Sequence, residues 1–243
     1  MKLFVCSDIH GNARALGAVM ELYRKLGPSE FLFLGDCVGY GAHPDTCLDV
    51  ILNIPGARII LGNHDSALLH EAERADLNEI AAEALGWSEA LLDGSYDEAI
   101  RGRFAMMHEE SRYLAVHASP YRPEDWVYVF SALEAEQAFF ARAFRLCFLG
   151  HTHTPVAYEF GAGEAALREG VPLELAPGKR YIVNPGSVGQ PRDGDPRASC
   201  CLFDADAGTI TLHRCEYDIE AEARDIVDAG LPAYLGERLL YGT

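Results

Sequence analysis

Positive charge is scarce. Among 243 residues, Lys and Arg number 20 against 37 Asp and Glu, a formal net charge of −17. Such a surface repels polyanions, so strong nucleic-acid binding is not expected. A small phosphate ester is still admissible in a cleft that draws positive charge from metal ions. Long apolar runs are missing too: none approaches the roughly 18–20 residues needed to cross a bilayer. The opening stretch MKLFVCSDIHGN has no charged leader and no small-residue cleavage site. A cytoplasmic protein with no membrane partner is the expectation. There is no C-x-x-C pair, and the seven cysteines are odd in number and irregularly spaced. Disulfide scaffolds and zinc ribbons are disfavoured, and the cysteines read as small buried apolar residues in a reducing compartment. Cys37 stands apart because it follows Asp36 directly. Internal repeats, low-complexity tracts and linkers are absent, so one domain over 1–243 is expected. Oligomeric state has no sequence signal.

What the chain does contain is a recurring local pattern. With 49% hydrophobic residues it can build a large core. Five of its apolar runs end in residues able to bind a metal or move a proton. KLFVCSDIHGN (2–12) runs into Asp8, His10 and Gly11. FLFLGD (31–36) ends in Gly35 and Asp36. RIILGNHD (58–65) ends in Gly62, Asn63, His64 and Asp65. YLAVH (113–117) ends in His117, and LCFLGHTHTP (146–155) in Gly150, His151 and His153.

Between these runs, residues 13–26 carry Leu16, Val19, Tyr23 and Leu26 at helical spacing, stopped by Gly27-Pro28. A second helix is expected over 44–53, with Pro44 near its start. With strands at 2–6, 31–35 and 58–61, this is a β-α-β-α-β rhythm and predicts a parallel sheet. Residues 66–103, rich in Ala, Glu and Leu, predict one or two helices forming a cap beside the site. A hairpin is expected over 104–117, a helix over 132–144 and a strand over 146–149. Beyond 155, VAYEF, LEL, RYIV, ASCCLFD and TITLHRCEY read as antiparallel strands, followed by a helix near 219–229. The fold class is α/β, with a mixed two-sheet core.

Ligands of open α/β sheets sit at the carboxyl ends of the strands, where all five clusters fall. Asp8 and His10 are two apart, as are His151 and His153. If those segments are extended, each pair points one way. Glycines 35, 62 and 150 suit tight turns and close backbone approach. The candidate metal ligands are Asp8, His10, Asp36, Asn63, His117, His151 and His153. Imidazole and carboxylate together suit a borderline divalent ion, with Mn expected and Fe, Ni, Co or Zn as alternatives. Seven ligands exceed one ion but fit two, with the Asp36 carboxylate as the natural bridge. His43, His70, His108 and His213 fall outside the pattern, and Trp87 and Trp126 read as structural. Arg192, in QPRDGDPR, is a candidate phosphate contact.

The series D-x-H, G-D, G-N-H-[DE], H and G-H-x-H resembles the calcineurin-like metallophosphoesterases. It is present in order as Asp8-Ile9-His10, Gly35-Asp36, Gly62-Asn63-His64-Asp65, His117 and Gly150-His151-Thr152-His153. The resemblance covers residues 1 to about 204, and the NPGSVGQPR loop (184–192) resembles the small bacterial and archaeal phosphodiesterase branch. It implies a four-layer fold, two sheets flanked by helices. It implies one ion on Asp8, His10, Asp36 and His153, and a second on Asp36, Asn63, His117 and His151. The implied chemistry is in-line attack on a small or nucleotide-like phosphate ester by a hydroxide held between the ions. His64 would contact the phosphate and protonate the leaving oxygen, oriented by Asp65, with Asn63 and Arg192 also toward substrate. Two departures are visible. GDCVGYG stands where protein phosphatases and dinucleotide tetraphosphatases carry G-D-x-x-D-R-G, so their phosphate-gripping arginine is missing. Ala118 replaces the usual glycine after the fourth-motif histidine. A phosphodiesterase is therefore favoured. The alternatives are a phosphomonoesterase or nucleotidase, and a catalytically silent scaffold of the same fold.

Overall fold

The structure, a computed structural model, describes residues 1–168 and 172–243. In chain order the elements are β1 (Lys2–Cys6), α1 (Ala13–Leu26), β2 (Glu30–Phe33), α2 (Pro44–Leu52), β3 (Arg58–Ile60), α3 (Asn63–Leu69), α4 (Glu79–Leu92) and α5 (Asp97–Arg103). Then come β4 (Phe104–Ala105), β5 (Met107–Glu109), β6 (Leu114–Val116), α6 (Ala132–Ala141), β7 (Leu146–Phe148), β8 (Val156–Gly161) and β9 (Glu164–Leu167). The chain continues through β10 (Leu173–Glu174), β11 (Arg180–Asn184), β12 (Ala198–Asp204), β13 (Thr209–Cys215), α7 (Ile219–Asp228) and α8 (Ala233–Leu239).

Two sheets result, ordered β10-β13-β12-β1-β2-β3-β4 and β5-β6-β7-β11-β8-β9. The uninterrupted apolar run of β1 follows from burial on both faces. Leu3 and Val5 point inward, joining Leu32 and Ile60 against Ala115, Phe148 and Tyr181 of the second sheet. Phe4 points outward with Phe31 and Phe33, onto Leu16 and Val19 of α1 and Leu48 of α2. The outer face of the second sheet packs Val116, Cys147 and Ile182 on Ala135, Ala138 and Phe139 of α6. Helices, sheet, sheet and helix make the four layers. All seven cysteines are free and buried, and no helix among the described residues is long and apolar enough to cross a membrane.

Strands β1 to β4 are parallel, as the β-α-β-α-β rhythm predicts. Three expectations are corrected. The hairpin over 104–117 is divided: β4 pairs with β3 in the first sheet, and only β5 and β6 form a hairpin, in the second. RYIV is not simply antiparallel, because β11 lies parallel to β7 and antiparallel to β8. The segment expected to hold one or two helices over 66–103 holds three α-helices, and the first begins at Asn63, directly on the GNHD motif. The strand β9 had no counterpart in the sequence reading.

Candidate active site

The ends of β1, β2, β3, β6 and β7 converge, and all seven candidate ligands meet there. Asp8, His10, Asp36, His117, His151 and His153 are buried. Asn63 is half-buried at the start of α3. The backbone is not extended as the two-residue spacing suggested. Asp8, His10, Asp36, Tyr40, His151 and His153 all take left-handed φ, from +48° to +67°. Each such residue costs about 1–3 kcal/mol unless its surroundings hold it, and such conformations cluster at functional sites. The side chains converge because the chain curls at each strand end.

One pair of contacts shows that the cluster could hold a cation. His10 Nδ1 lies 2.9 Å from the Val38 carbonyl and His153 Nδ1 lies 2.7 Å from the Gln190 carbonyl. Carbonyls only accept, so both Nδ1 atoms carry the hydrogen. Burial holds both imidazoles well below their usual pKa, so they are neutral. Their Nε2 lone pairs then face each other at 3.1 Å, with nothing to donate between them. A cation resolves that repulsion. Asp8 Oδ1 stands 3.5 Å from His153 Nε2 and Asp36 Oδ2 stands 3.6 Å from His10 Nε2, which completes one donor set.

A second group forms around His117. Its Nδ1 donates to the Leu34 carbonyl at 2.8 Å. Its Nε2 faces Asn63 Oδ1 and His151 Nδ1, both at 3.2 Å, and Asp36 Oδ2 at 3.3 Å. Asp36 Oδ2 thus lies between the two groups. Burial opposes charge at Asp36, but His117, His64 and His10 hold its carboxyl well below the usual range. Burial likewise opposes charge on His117, and Asp36 overrides it, raising the imidazole to about 9. Burial pushes Asp8 up to about 7. Hard carboxylates and borderline imidazoles in these two groups fit divalent ions. The carbonyls behind His10, His117 and His153 fix the ring orientation that ligation needs.

Asp65 is placed otherwise than expected. Its carboxylate does not orient His64. Oδ2 accepts the backbone N–H of Asp36 at 2.8 Å and of Gly62 at 3.2 Å, and Oδ1 accepts Cys37 N–H at 2.9 Å and Val38 N–H at 3.4 Å. It braces the turn that carries Asp36. Burial and the Asp36 charge push its pKa up, and the N–H donors pull it back. Gly62 must lack a side chain, because a Cβ there would lie 2.1 Å from Asp36 Oδ1.

His64 donates its backbone N–H to Asp36 Oδ1 at 2.9 Å, and its ring lines a cavity of about 670 Å³ with Asn63 and His151. Burial lowers its pKa, which makes the imidazolium a stronger acid but a rarer one at neutral pH. Tyr40 packs its ring 4.7 Å from both His10 and His64. Trp126, expected to be structural, lines the same cavity, 6.0 Å from the His117 ring. Tyr128 was missed by the sequence reading, yet it stacks on His151 at 3.9 Å. Its run, VYVF, carries no motif, and only the fold brings it here. Glu73, Asp76, Leu77, Asn78 and Ala81 of the helical segment also line this cavity.

Arg192 is held by Gln190 Oε1 at 2.7 Å, with its guanidinium 5.9 Å from the Tyr40 ring, and it is not among the residues lining the cavity. Cys37 is fully buried in the core under α1 and α2, and burial raises its thiol well above the usual range. His43 pairs with Asp225 at 3.0 Å and His108 with Glu110 at 3.0 Å, both away from the cavity. His70 pairs with Glu73 at 3.4 Å. Trp87 donates to the Ala229 carbonyl at 3.0 Å.

Residues 1–208 match the calcineurin-like phosphoesterase superfamily domain. The chain belongs to the calcineurin-like phosphoesterases. An uncharacterized protein of Methanocaldococcus jannaschii is 35% identical over 241 residues, 98% of this chain and 97% of its own. Phosphodiesterase YfcE of Escherichia coli is 26% identical over 223 residues, 86% of this chain and 91% of its own. The crystal structure of a metallophosphoesterase from Sphaerobacter thermophilus superposes with a TM-score of 0.86 at 34% identity, over 100% of both chains. This calcineurin-like phosphoesterase is a metal-dependent hydrolase of phosphate esters with the family's two-sheet fold.

Its two departures from the wider family have local causes. Gly39, in place of the aspartate of G-D-x-x-D-R-G, has φ +85°, and a Cβ there would lie 2.5 Å from His64 Nδ1. No side chain fits at that position while His64 keeps its place. Ala118 is absent from the positive-φ residues, so its turn makes no demand for glycine.

Proposed function

We propose that the protein is a two-metal phosphodiesterase acting on a small phosphate diester, as one domain of the cytoplasm. The reading is carried by the facing Nε2 lone pairs of His10 and His153, a geometry that calls for a cation. Asp8, His10, Asp36 and His153 would hold one ion; Asp36, Asn63, His117 and His151 would hold the other. Mn is the expected metal, with Fe, Ni, Co or Zn as alternatives. When bound, the ions polarise the phosphoryl oxygens and acidify water at the site.

The chain's own residues do the rest. Asn63 and His64, at the start of α3 on the cavity floor, hold the phosphate. His64 keeps a ring proton for the departing alcohol oxygen. Arg192 adds positive potential from behind Tyr40, and Asp65 keeps the Asp36 turn in register. A diester suits this cavity better than a monoester. A diester carries one negative charge, a monoester close to two, and no Lys or Arg is among the residues lining the cavity. The name of the E. coli relative, a phosphodiesterase, points the same way. The test compares kcat/KM of Mn-loaded protein on bis(p-nitrophenyl) phosphate and p-nitrophenyl phosphate. A higher value for the diester is expected. A monoester preference refutes the diester assignment and leaves a phosphomonoesterase. A protein that binds two ions and turns over neither ester is a scaffold.

A further inference from the structure

The cavity that opens from His64 and His151 has an unusual lining for an enzyme that handles phosphate. Glu73, Asp76, Glu124 and Asp125 all contribute to it, and no lysine or arginine does. Two of the carboxylates have a basic side chain beside them: Glu73 lies 3.4 Å from the His70 imidazole, and Asp125 lies 3.1 Å from the Arg122 guanidinium. Asp76 and Glu124 have no ion-pair partner among the described residues. At the floor, two buried ring nitrogens, His64 Nδ1 and His151 Nε2, have no hydrogen-bond partner; the two residues are 4% and 5% exposed. The floor is thus equipped for a polar ligand, and the walls above it carry the sign of charge that repels phosphate.

Aromatic surface completes the lining. Tyr128 is stacked between His151, at 3.9 Å, and Phe130, at 5.0 Å. Both of its faces are taken. Trp126 lies T-shaped to the His117 ring, at 6.0 Å and 73°, and is half-buried at the cavity wall. An indole beside uncompensated carboxylates is the combination that binds organic cations, through ring quadrupole and charge together.

Building on the diesterase reading, we propose that the substrate is a phosphodiester with one alcohol carrying an ammonium group. That group would be seated between Trp126 and the carboxylates of Asp76 and Glu124. A polyphosphate chain is disfavoured in the same place, because its additional phosphates would meet those carboxylates without a cation between them. The phosphate goes to the floor and the ammonium arm to the wall, so one cavity reads both ends of a zwitterion.

Two diesters that differ by one atom test this. p-Nitrophenyl phosphorylcholine carries a quaternary nitrogen; p-nitrophenyl 3,3-dimethylbutyl phosphate carries carbon in its place, with the same leaving group. Metal-loaded protein should favour the cationic diester in kcat/KM by about tenfold at low salt, and less as salt is added. Asp76→Asn with Glu124→Gln, both exposed positions, should bring the ratio close to one, because the cationic diester loses its attraction and the diester without the ammonium loses a repulsion. A ratio near one in the parent protein, or an unchanged ratio in the double variant, overturns the proposal. Comparable turnover of both diesters would remove this inference alone. Turnover of neither would remove the diesterase reading and this inference with it.

Discussion

Replacing Asp65 by Asn separates two roles for that residue. As an acceptor, its carboxylate serves four backbone N–H groups: Asp36 and Gly62 on one oxygen, Cys37 and Val38 on the other. An asparagine is the same size but offers one oxygen and one NH2. Whichever way the amide turns, two buried N–H groups lose their acceptor and face a donor. Each buried donor left unpaired costs about 1–3 kcal/mol. The shorter pair on each side is weighted most, so the expected loss is about 4 kcal/mol, a large part of a typical domain's stability of about 5–15 kcal/mol. Guanidinium unfolding of the metal-free protein measures it. The same variant should bind metal more weakly, because the Asp36 turn loses its brace. Were Asp65 instead to act by orienting His64, stability and metal affinity would hold, and only turnover would fall. A loss below about 1 kcal/mol, with metal affinity unchanged, would refute the bracing argument.

Asp36→Asn should reduce bound divalent metal at both groups, since Asp36 Oδ2 faces His10 and His117 alike, whereas His153→Ala should remove about one ion; elemental analysis after Mn loading distinguishes them, and equal losses would contradict the shared carboxylate. His64→Ala should keep its metals and slow alkyl esters by about 10²–10⁴-fold, but p-nitrophenyl esters much less, because only the poor leaving group needs a proton; equal losses on both would assign His64 to phosphate binding. Glu222 on α7 is fully buried, with Arg14 Nε 3.7 Å from its Oε2, and burial pushes it up to about 7 from the usual 4.5 against the pull of His43 and Arg14. Its folded pKa is raised, so its contribution to stability is fully present below about 4.5 and is lost as pH rises through about 7. Glu222→Gln removes that dependence and should be more stable than the parent at pH 8 by up to about 3 kcal/mol, with no gain at pH 4; thermal melts at the two values check it, and an equal shift at both would exclude titration as the cause.

Local chemistry alone was enough to read the strand that begins at Lys2, the helix over Ala13–Leu26 with its stop at Gly27, and the parallel order of β1, β2 and β3. A run buried on both faces is apolar throughout, a helix repeats its apolar side every three or four residues, and β-α-β connections impose direction. The candidate ligands were legible for the same reason: polar residues cut the apolar runs short at the strand ends. Direction within the second sheet was not legible. The run RYIV reads the same whether its neighbours are parallel or antiparallel, and only its fit between β7 and β8 decided it. Nor could spacing reveal how Asp8 and His10 converge, because left-handed φ at those residues is imposed by packing and has no pattern in sequence. Asp65 was legible as part of a motif but not as the acceptor for backbone N–H groups 27 to 29 residues away. Tyr128 and Trp126 belong to a loop without a signature; they reach the cavity because the second sheet closes over the first. The sequence thus determined which residues can bind a metal. Tertiary structure decided which way they face, what holds them and what the cavity above them accepts, because those depend on contacts between segments whose separation in the chain leaves no periodic trace.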